Sequence, residues 1–272
     1  MLKKKLILIA LLLSIGSSIF AQQRIVSLNG TISEMICALG LENQLVGVDI
    51  TSTYPASLKS KPKVGHNRNI SAEGIITLQP SLVIGTKDQI NPQLIDQLKS
   101  AKVRTVILDQ DLSAPGVKTL LSEVAKAVNA GAKAAVVQKQ FDKQLADLKI
   151  AKLNKKVLFI YARGTGTMMV GGSGTTVDKM IQLAGAKNAV TEFADYKPLT
   201  AEALVAANPD VILLFTSGLE SLNGNAGLLN VPGVAQTTAG KNKKFVSMDG
   251  ELLSGFTLRL PQAIQELNTK LK

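Results

Sequence analysis

Two stretches decide the fold: SAEGIITLQPSLVIG at residues 71–85 and TAEALVAANPDVILL at residues 200–214. Each opens on a hydroxyl residue, continues through Ala-Glu into an apolar helix, and passes a proline just before a run of β-formers. The hydroxyl caps orphan N–H groups, and the first-turn glutamate opposes the positive end of the helix dipole. A helix feeding a short apolar strand is half of a βαβ unit, and here that half is written twice, 129 residues apart. A second echo pairs Met35-Ile36 with Met180-Ile181 and Gly40 with Gly185, now at an offset of 145 residues. The first half therefore holds about 16 more residues between the two landmarks, around DITSTYPASLKSKPKVGHNRN, residues 49–69. Loops on a rigid scaffold carry function, so this surplus is a place to look for ligand chemistry.

Working outward, RIVSL, QLVGVD, SLVIGT and VRTVILD read as short strands, with ISEMICALG as a helix among them. The same grammar restarts at KKVLFIYA, runs through TTVDKMIQLAG and reaches DVILLF. The expected fold is α/β: two Rossmann-like lobes with mostly parallel sheets, a long connecting α-helix, and a ligand cleft between the lobes. Residues 22–112 are expected as the first lobe, 113–151 as a helical connector and 152–272 as the second lobe. Within the connector, Asn129-Ala130-Gly131 interrupts helix formers. Ala132 to Lys149 would make a helix of roughly 27 Å, stiff enough to limit opening of the cleft.

Residues 1–21, MLKKKLILIALLLSIGSSIFA, carry three lysines, an apolar run and small residues near Ala21. That is a secretory signal pattern, with cleavage expected after Ala21. With no Cys at the start of the mature chain, a soluble periplasmic protein is expected rather than a lipoprotein. Without Lys3, Lys4 and Lys5 the formal charge falls from +11 to +8. Export argues against nucleic acid as the partner for that charge, and an anionic ligand, an anionic membrane surface or plain solubility explains it better. Cys37 is the only cysteine, so no intrachain disulfide forms.

Catalytic signals are missing. G-x-S-x-G, H-E-x-x-H and C-x-x-C do not occur, and His66 is the only histidine, too few for a cluster of metal-binding imidazoles. The Gly-rich segment ARGTGTMMVGGSGTT, residues 162–176, follows a strand but breaks G-x-G-x-x-G at Met169 and lacks the Walker lysine. It reads as a close approach of backbone, with Met168 and Met169 at a lobe edge, filling core or touching a flat ligand. No enzymatic activity is expected.

TSTYP, VGHNRNISAEGIITLQPSLVIG, the MMVGG segment and TAEALVAANPDVILL together resemble the periplasmic haem-binding proteins of ABC importers. The resemblance runs across the mature chain. The S-A-E-G-x-x-x-L-x-P block alone marks a broader group that also binds cobalamin and ferric siderophores. In the haem-binding family a tyrosine in a V-G-Y-x-R segment usually ligates haem iron, and this chain has His66 there. Imidazole is itself a strong axial ligand, so the resemblance implies haem b carried through His66. It implies further that Arg68 sits near the ligand or a propionate, that Tyr54 belongs to the binding loop, and that Met169, or less so Met168, supplies a second axial ligand. Glu73 and Glu202, one per lobe, would dock a monomeric carrier on the permease dimer of an ABC transporter. The alternative cargo is a corrinoid or ferric siderophore.

Overall fold

The computed structural model describes residues 22–66, 69–87 and 89–272, so the signal segment and Arg68 lie outside the described residues. In the first lobe β1 (Ile25–Ser27) leads to α1 (Gly30–Ala38), β2 (Leu45–Val48), α2 (Ala72–Ile76), β3 (Leu82–Thr86), α3 (Pro92–Ser100) and β4 (Thr105–Leu108). Next come α4 (Ala114–Ala127) and α5 (Gly131–Ala146), then β5 (Lys156–Ala162) and β6 (Met168–Gly171). The second lobe continues through α6 (Thr176–Leu183), β7 (Lys187–Asn188), β8 (Tyr196–Pro198), α7 (Ala201–Ala207) and β9 (Val211–Phe215). It ends with α8 (Thr216–Ser221), α9 (Gly224–Leu229), α10 (Thr238–Lys241), β10 (Phe245–Met248), α11 (Gly250–Ser254) and α12 (Leu260–Leu271).

The first sheet runs β2-β1-β3-β4, all parallel. The second repeats that frame as β7-β5-β9-β10, also parallel. The echo is therefore structural. Met35, Ile36, Met180 and Ile181 are fully buried on α1 and α6. Gly40 and Gly185, just past those helices, sit at φ 68° and 81°, the left-handed region that glycine adopts freely at a helix end. Ser71 and Thr200 cap α2 and α7 by accepting from Gly74 N and Ala203 N, each at 3.2 Å.

The second sheet keeps this parallel frame and adds two antiparallel strands at one side, β6 on β5 and β8 on β6. The Gly-rich segment is the source of this addition. Its MMVG portion is strand, returning from β5 as a hairpin. Close backbone approach holds at Gly172, where a Cβ would stand 2.3 Å from the Phe193 carbonyl oxygen. Gly164, Gly166 and Gly174 have open space instead.

Parallel strands covered on both faces must be apolar at every residue, and alternate side chains must enter different cores. Val157 and Phe159 of β5 join one cluster while Leu158 and Ile160 join another. In the first lobe Leu82 and Ile84 enter the same cluster as Val157, and Val83 enters a third. One core thus runs from lobe to lobe through α4, α5 and α12, with a satellite on the outer face of each sheet. The chain breaks at Asn129, φ 57°, and resumes as the 16-residue α5, about 24 Å long and three residues shorter at its end than its composition suggests. α12 closes the seam: the buried Asn268 amide donates to Ala151 O at 2.7 Å and Ala184 O at 2.9 Å.

Candidate functional site

In open parallel α/β sheets the crevice beyond the carboxyl ends of the strands binds ligands, because helix starts and loops converge there. The two lobes point those ends at one another across a cleft of about 1130 Å³. From the first lobe come Gly30 and Thr31 after β1, Lys87 after β3 and Gln110 after β4. From the second come Tyr161 and Arg163 at the end of β5, Phe215 at the end of β9, and Glu251 after β10. The second-lobe wall is aromatic: Tyr161 and Phe215 meet edge to face at 6.1 Å, and Phe159 backs Phe215 at 4.8 Å. The Arg163 guanidinium lies 5.6 Å from the Tyr161 ring centre, a cation over an aromatic face. Such a wall offers stacking area plus positive charge, which suits a flat anionic ligand.

The cleft floor is a polar seam between lobes. Gly255 O accepts from Thr31 Oγ1 at 2.7 Å and from Gln110 Nε2 at 2.8 Å, stitching the end of α11 to the first lobe. Thr53 Oγ1 donates to Glu251 Oε2 at 2.8 Å. Behind them Arg259 Nε donates to Glu34 Oε2 at 2.8 Å, its Nη2 stands 3.9 Å from Glu251 Oε2, and its guanidinium covers the Tyr54 ring at 3.8 Å. Two carboxyls therefore share one guanidinium in a buried place. Burial raises the Glu34 carboxyl above its ordinary value against the pull of Arg259. Burial likewise pushes Glu251 up to about 7, with Glu34 adding to the rise and Thr53 and Arg259 opposing it.

The residues picked out by sequence are not gathered in one place. His66 is half-buried in the surplus loop, and its carbonyl accepts from Asn69 N at 2.7 Å. The preceding Gly65 O accepts from Ile50 N at 3.0 Å, beside the cleft residue Thr51. His66 itself is not among the described residues that line the cleft. Tyr54, 45% exposed, lies on the far side of the seam under Arg259, against a rear pocket of about 750 Å³. Met169 is the cross-strand partner of Tyr161 and shares its face of the sheet, whereas Met168 packs into the outer cluster. Glu73 and Glu202 are exposed in the first turns of α2 and α7. Sequence reasoning missed Tyr161, Arg163, Phe215 and Glu251. Their common signal is position, each at or just beyond the carboxyl end of a strand.

Among the described residues no three His, Cys, Asp or Glu gather to hold a metal ion, and no helix is long and apolar enough to cross a membrane. Comparison with known proteins matches residues 25–252 to the periplasmic binding protein family. The chain is similar to the periplasmic haem-binding protein RhuT from Roseiflexus sp. RS-1 in apo form: 37% identity, TM-score 0.86, 92% of this chain and 97% of that one. It is likewise similar to the periplasmic haem-binding protein BhuT in complex with two haems, at 36% identity and TM-score 0.87 over 92% and 97%. A vitamin B12-binding protein of Vibrio cholerae is 27% identical over 265 residues, 93% of this chain and 90% of that one. An uncharacterised ABC transporter substrate-binding lipoprotein, YvrC of Bacillus subtilis, is 28% identical over 252 residues, 90% and 78%. Two parallel frames facing across one cleft, matched over nearly their whole length, place this chain in the periplasmic binding protein family, the substrate-binding proteins of ABC importers.

Proposed function

We propose that this protein carries haem through the periplasm to the permease of an ABC importer, holding the porphyrin in the cleft with His66 as an axial iron ligand. The likeness to two haem-binding proteins at 36–37% identity over 92% of the chain carries the reading. The cleft volume of about 1130 Å³ has room for a macrocycle against Tyr161 and Phe215. A porphyrin burying on the order of 300 Å² of apolar surface gains about 7 kcal/mol before association costs. Lys87 and Arg163 stand in the walls as partners for propionates, and Arg68, which lies outside the described residues, is proposed as a further partner on the family resemblance alone. His66 reaches iron by movement of the surplus loop toward the cleft, and Met169, on the Tyr161 face, supplies the second ligand. Neutral imidazole serves ferric and ferrous iron alike, where a phenolate favours ferric.

Docking runs through Glu73 and Glu202, and Ile76 and Val205, three residues further along each helix, are both exposed large apolar side chains. Residues three apart share a helix face, so each lobe offers one carboxylate beside one aliphatic group. Two like faces suit two like permease subunits. The double change Glu73→Ala with Glu202→Ala leaves haem binding intact and impairs transfer to the transporter in vesicles.

The vitamin B12-binding relative favours a second reading, in which a corrinoid occupies the same cleft. Titration with haemin and with cyanocobalamin separates the two. A saturable Soret shift with haemin and no heat with cyanocobalamin supports haem, and the reverse assigns the cleft to a corrinoid.

A further inference from the structure

Glu251 belongs to the second lobe, but much of what surrounds its carboxyl belongs to the first. Oε2 accepts from Thr53 of the surplus loop at 2.8 Å. Oε1 has no hydrogen-bond partner among the described residues and is buried. It lies 2.3 Å from where a Cβ on Gly30 would stand, at the start of α1, with the Thr51 carbonyl oxygen 3.3 Å from that same point. Only a glycine at residue 30 leaves room for it. The rest of α11 is fastened to the first lobe as well, through Thr31 and Gln110 on Gly255 O.

The charges around it decide which protonation state fits. Glu34 faces it from α1, and Arg259 faces it from the start of α12, its Nε on Glu34 at 2.8 Å and its Nη2 3.9 Å from Glu251 Oε2, beyond hydrogen-bond reach. Lys63 of the surplus loop also feels Glu251 and Asp49, yet its ammonium is engaged with Ser52 O at 2.8 Å and Leu58 O at 3.1 Å. Asp249 accepts from Leu252 N at the start of α11. An ionised Glu251 therefore buries a charge with one unpaired oxygen beside a second carboxylate, which is costly. A neutral carboxyl carries no charge to desolvate in that place, and the Thr51 carbonyl oxygen lines the same space beside Gly30.

We propose that Glu251 is a positioning residue of the ligand cleft: neutral, it keeps α11 packed against the start of α1, and ionised, its buried, unpartnered oxygen favours hydration of the seam and widens the gap between lobes. The proposal rests on the cleft being the binding site, not on which ligand it takes. Ligand retention then falls as pH rises through neutrality, without any change in the residues that touch the ligand.

The test is an interlobe distance in the ligand-free protein. Spin labels at Gln93→Cys and Glu220→Cys, both exposed, are introduced in a Cys37→Ser background and read by pulsed electron spin resonance at pH 6 and pH 8.5. The wild-type distribution should broaden about twofold at the higher pH. Glu251→Gln should stay narrow at both, and Gly30→Ala, whose methyl displaces the carboxyl, should be broad at both. In parallel, haemin release to apomyoglobin should quicken about tenfold between the two pH values in wild type and stay constant in Glu251→Gln. Equal broadening with pH in wild type and Glu251→Gln would overturn the proposal. Failure to bind haemin, with the distance changes intact, would count against the haem reading alone.

Discussion

The two lobes share one parallel frame and differ in what they hang on it. The register that pairs Ser27 of β1 with Ile84 of β3 pairs Phe159 of β5 with Leu213 of β9, and Ile84 and Leu213 are 129 residues apart, the offset of the echo. Ser27 and Phe159 are thus the same position. In the first lobe it begins a buried polar web: Ser33 Oγ donates to Ser27 Oγ at 2.8 Å and lies 2.8 Å from Ser52 Oγ, which donates to Asp49. That web ties down the root of the surplus loop, residues 49–69. In the second lobe the same position is the centre of an aromatic cluster with Phe215 and, at 6.5 Å, Tyr196. Lobe 1 therefore anchors a long loop with hydrogen bonds, and lobe 2 builds a rigid apolar wall with the β5–β6 hairpin. The frame positions the cleft, and the additions at its carboxyl ends give its two walls different chemistry.

The comparison is broken most severely by Phe159→Ala, which removes a fully buried ring and should cost about 3–5 kcal/mol in denaturant unfolding. Ser27→Ala should cost only about 1 kcal/mol, the net worth of a hydrogen bond. Equal losses would mean the two positions are not alternative solutions to one site.

The lobe seam gives the next effect. Glu251 is raised from 4.5 to about 7, so the unfolded chain loses this proton at lower pH than the folded one. The stability it contributes is full below pH 4.5 and is lost as pH rises through about 7, up to about 3 kcal/mol in total. Glu34 shifts in the same direction. Urea midpoints of wild type should therefore fall between pH 5 and pH 8 more than those of Glu251→Gln.

Smaller again is the contrast between Gly40 and Gly185. Both take positive φ, so alanine costs about 1–2 kcal/mol at either. At Gly185 the new Cβ would also stand 2.4 Å from the Ala151 carbonyl oxygen, while at Gly40 the nearest atom is the movable Lys133 Nζ at 3.6 Å. Gly185→Ala should be clearly the more damaging of the pair. The smallest effects, and the most alike, should come from Ser71→Ala and Thr200→Ala, each losing one cap worth about 1 kcal/mol.

Much of this was legible in the sequence. The duplicated helix-to-strand block, the paired glycines and the break at Asn129 are local signals, and local signals survive without a structure. The β5–β6 hairpin was not legible, because Gly-rich MMVGG reads as loop until Tyr161 and Pro198 are seen pairing with Met169 on either side. The cleft walls were half legible. Tyr161 and Phe215 end apolar runs and read as ordinary strand residues, and only the facing of two sheets turns their carboxyl ends into a site. Glu34, Glu251 and Arg259 are separated by more than 200 residues from first to last, a distance over which no sequence pattern couples them.

In the proposed division of labour the surplus loop of lobe 1 supplies the iron ligand and lobe 2 the wall. This division is tested most directly by the absorption spectrum of the haemin complex in wild type and His66→Ala, with affinity measured alongside. The expected result is a shifted Soret band and at least tenfold weaker binding in the variant, with haemin still held soluble in the cleft by the Tyr161–Phe215 wall. An unchanged spectrum and affinity would contradict it.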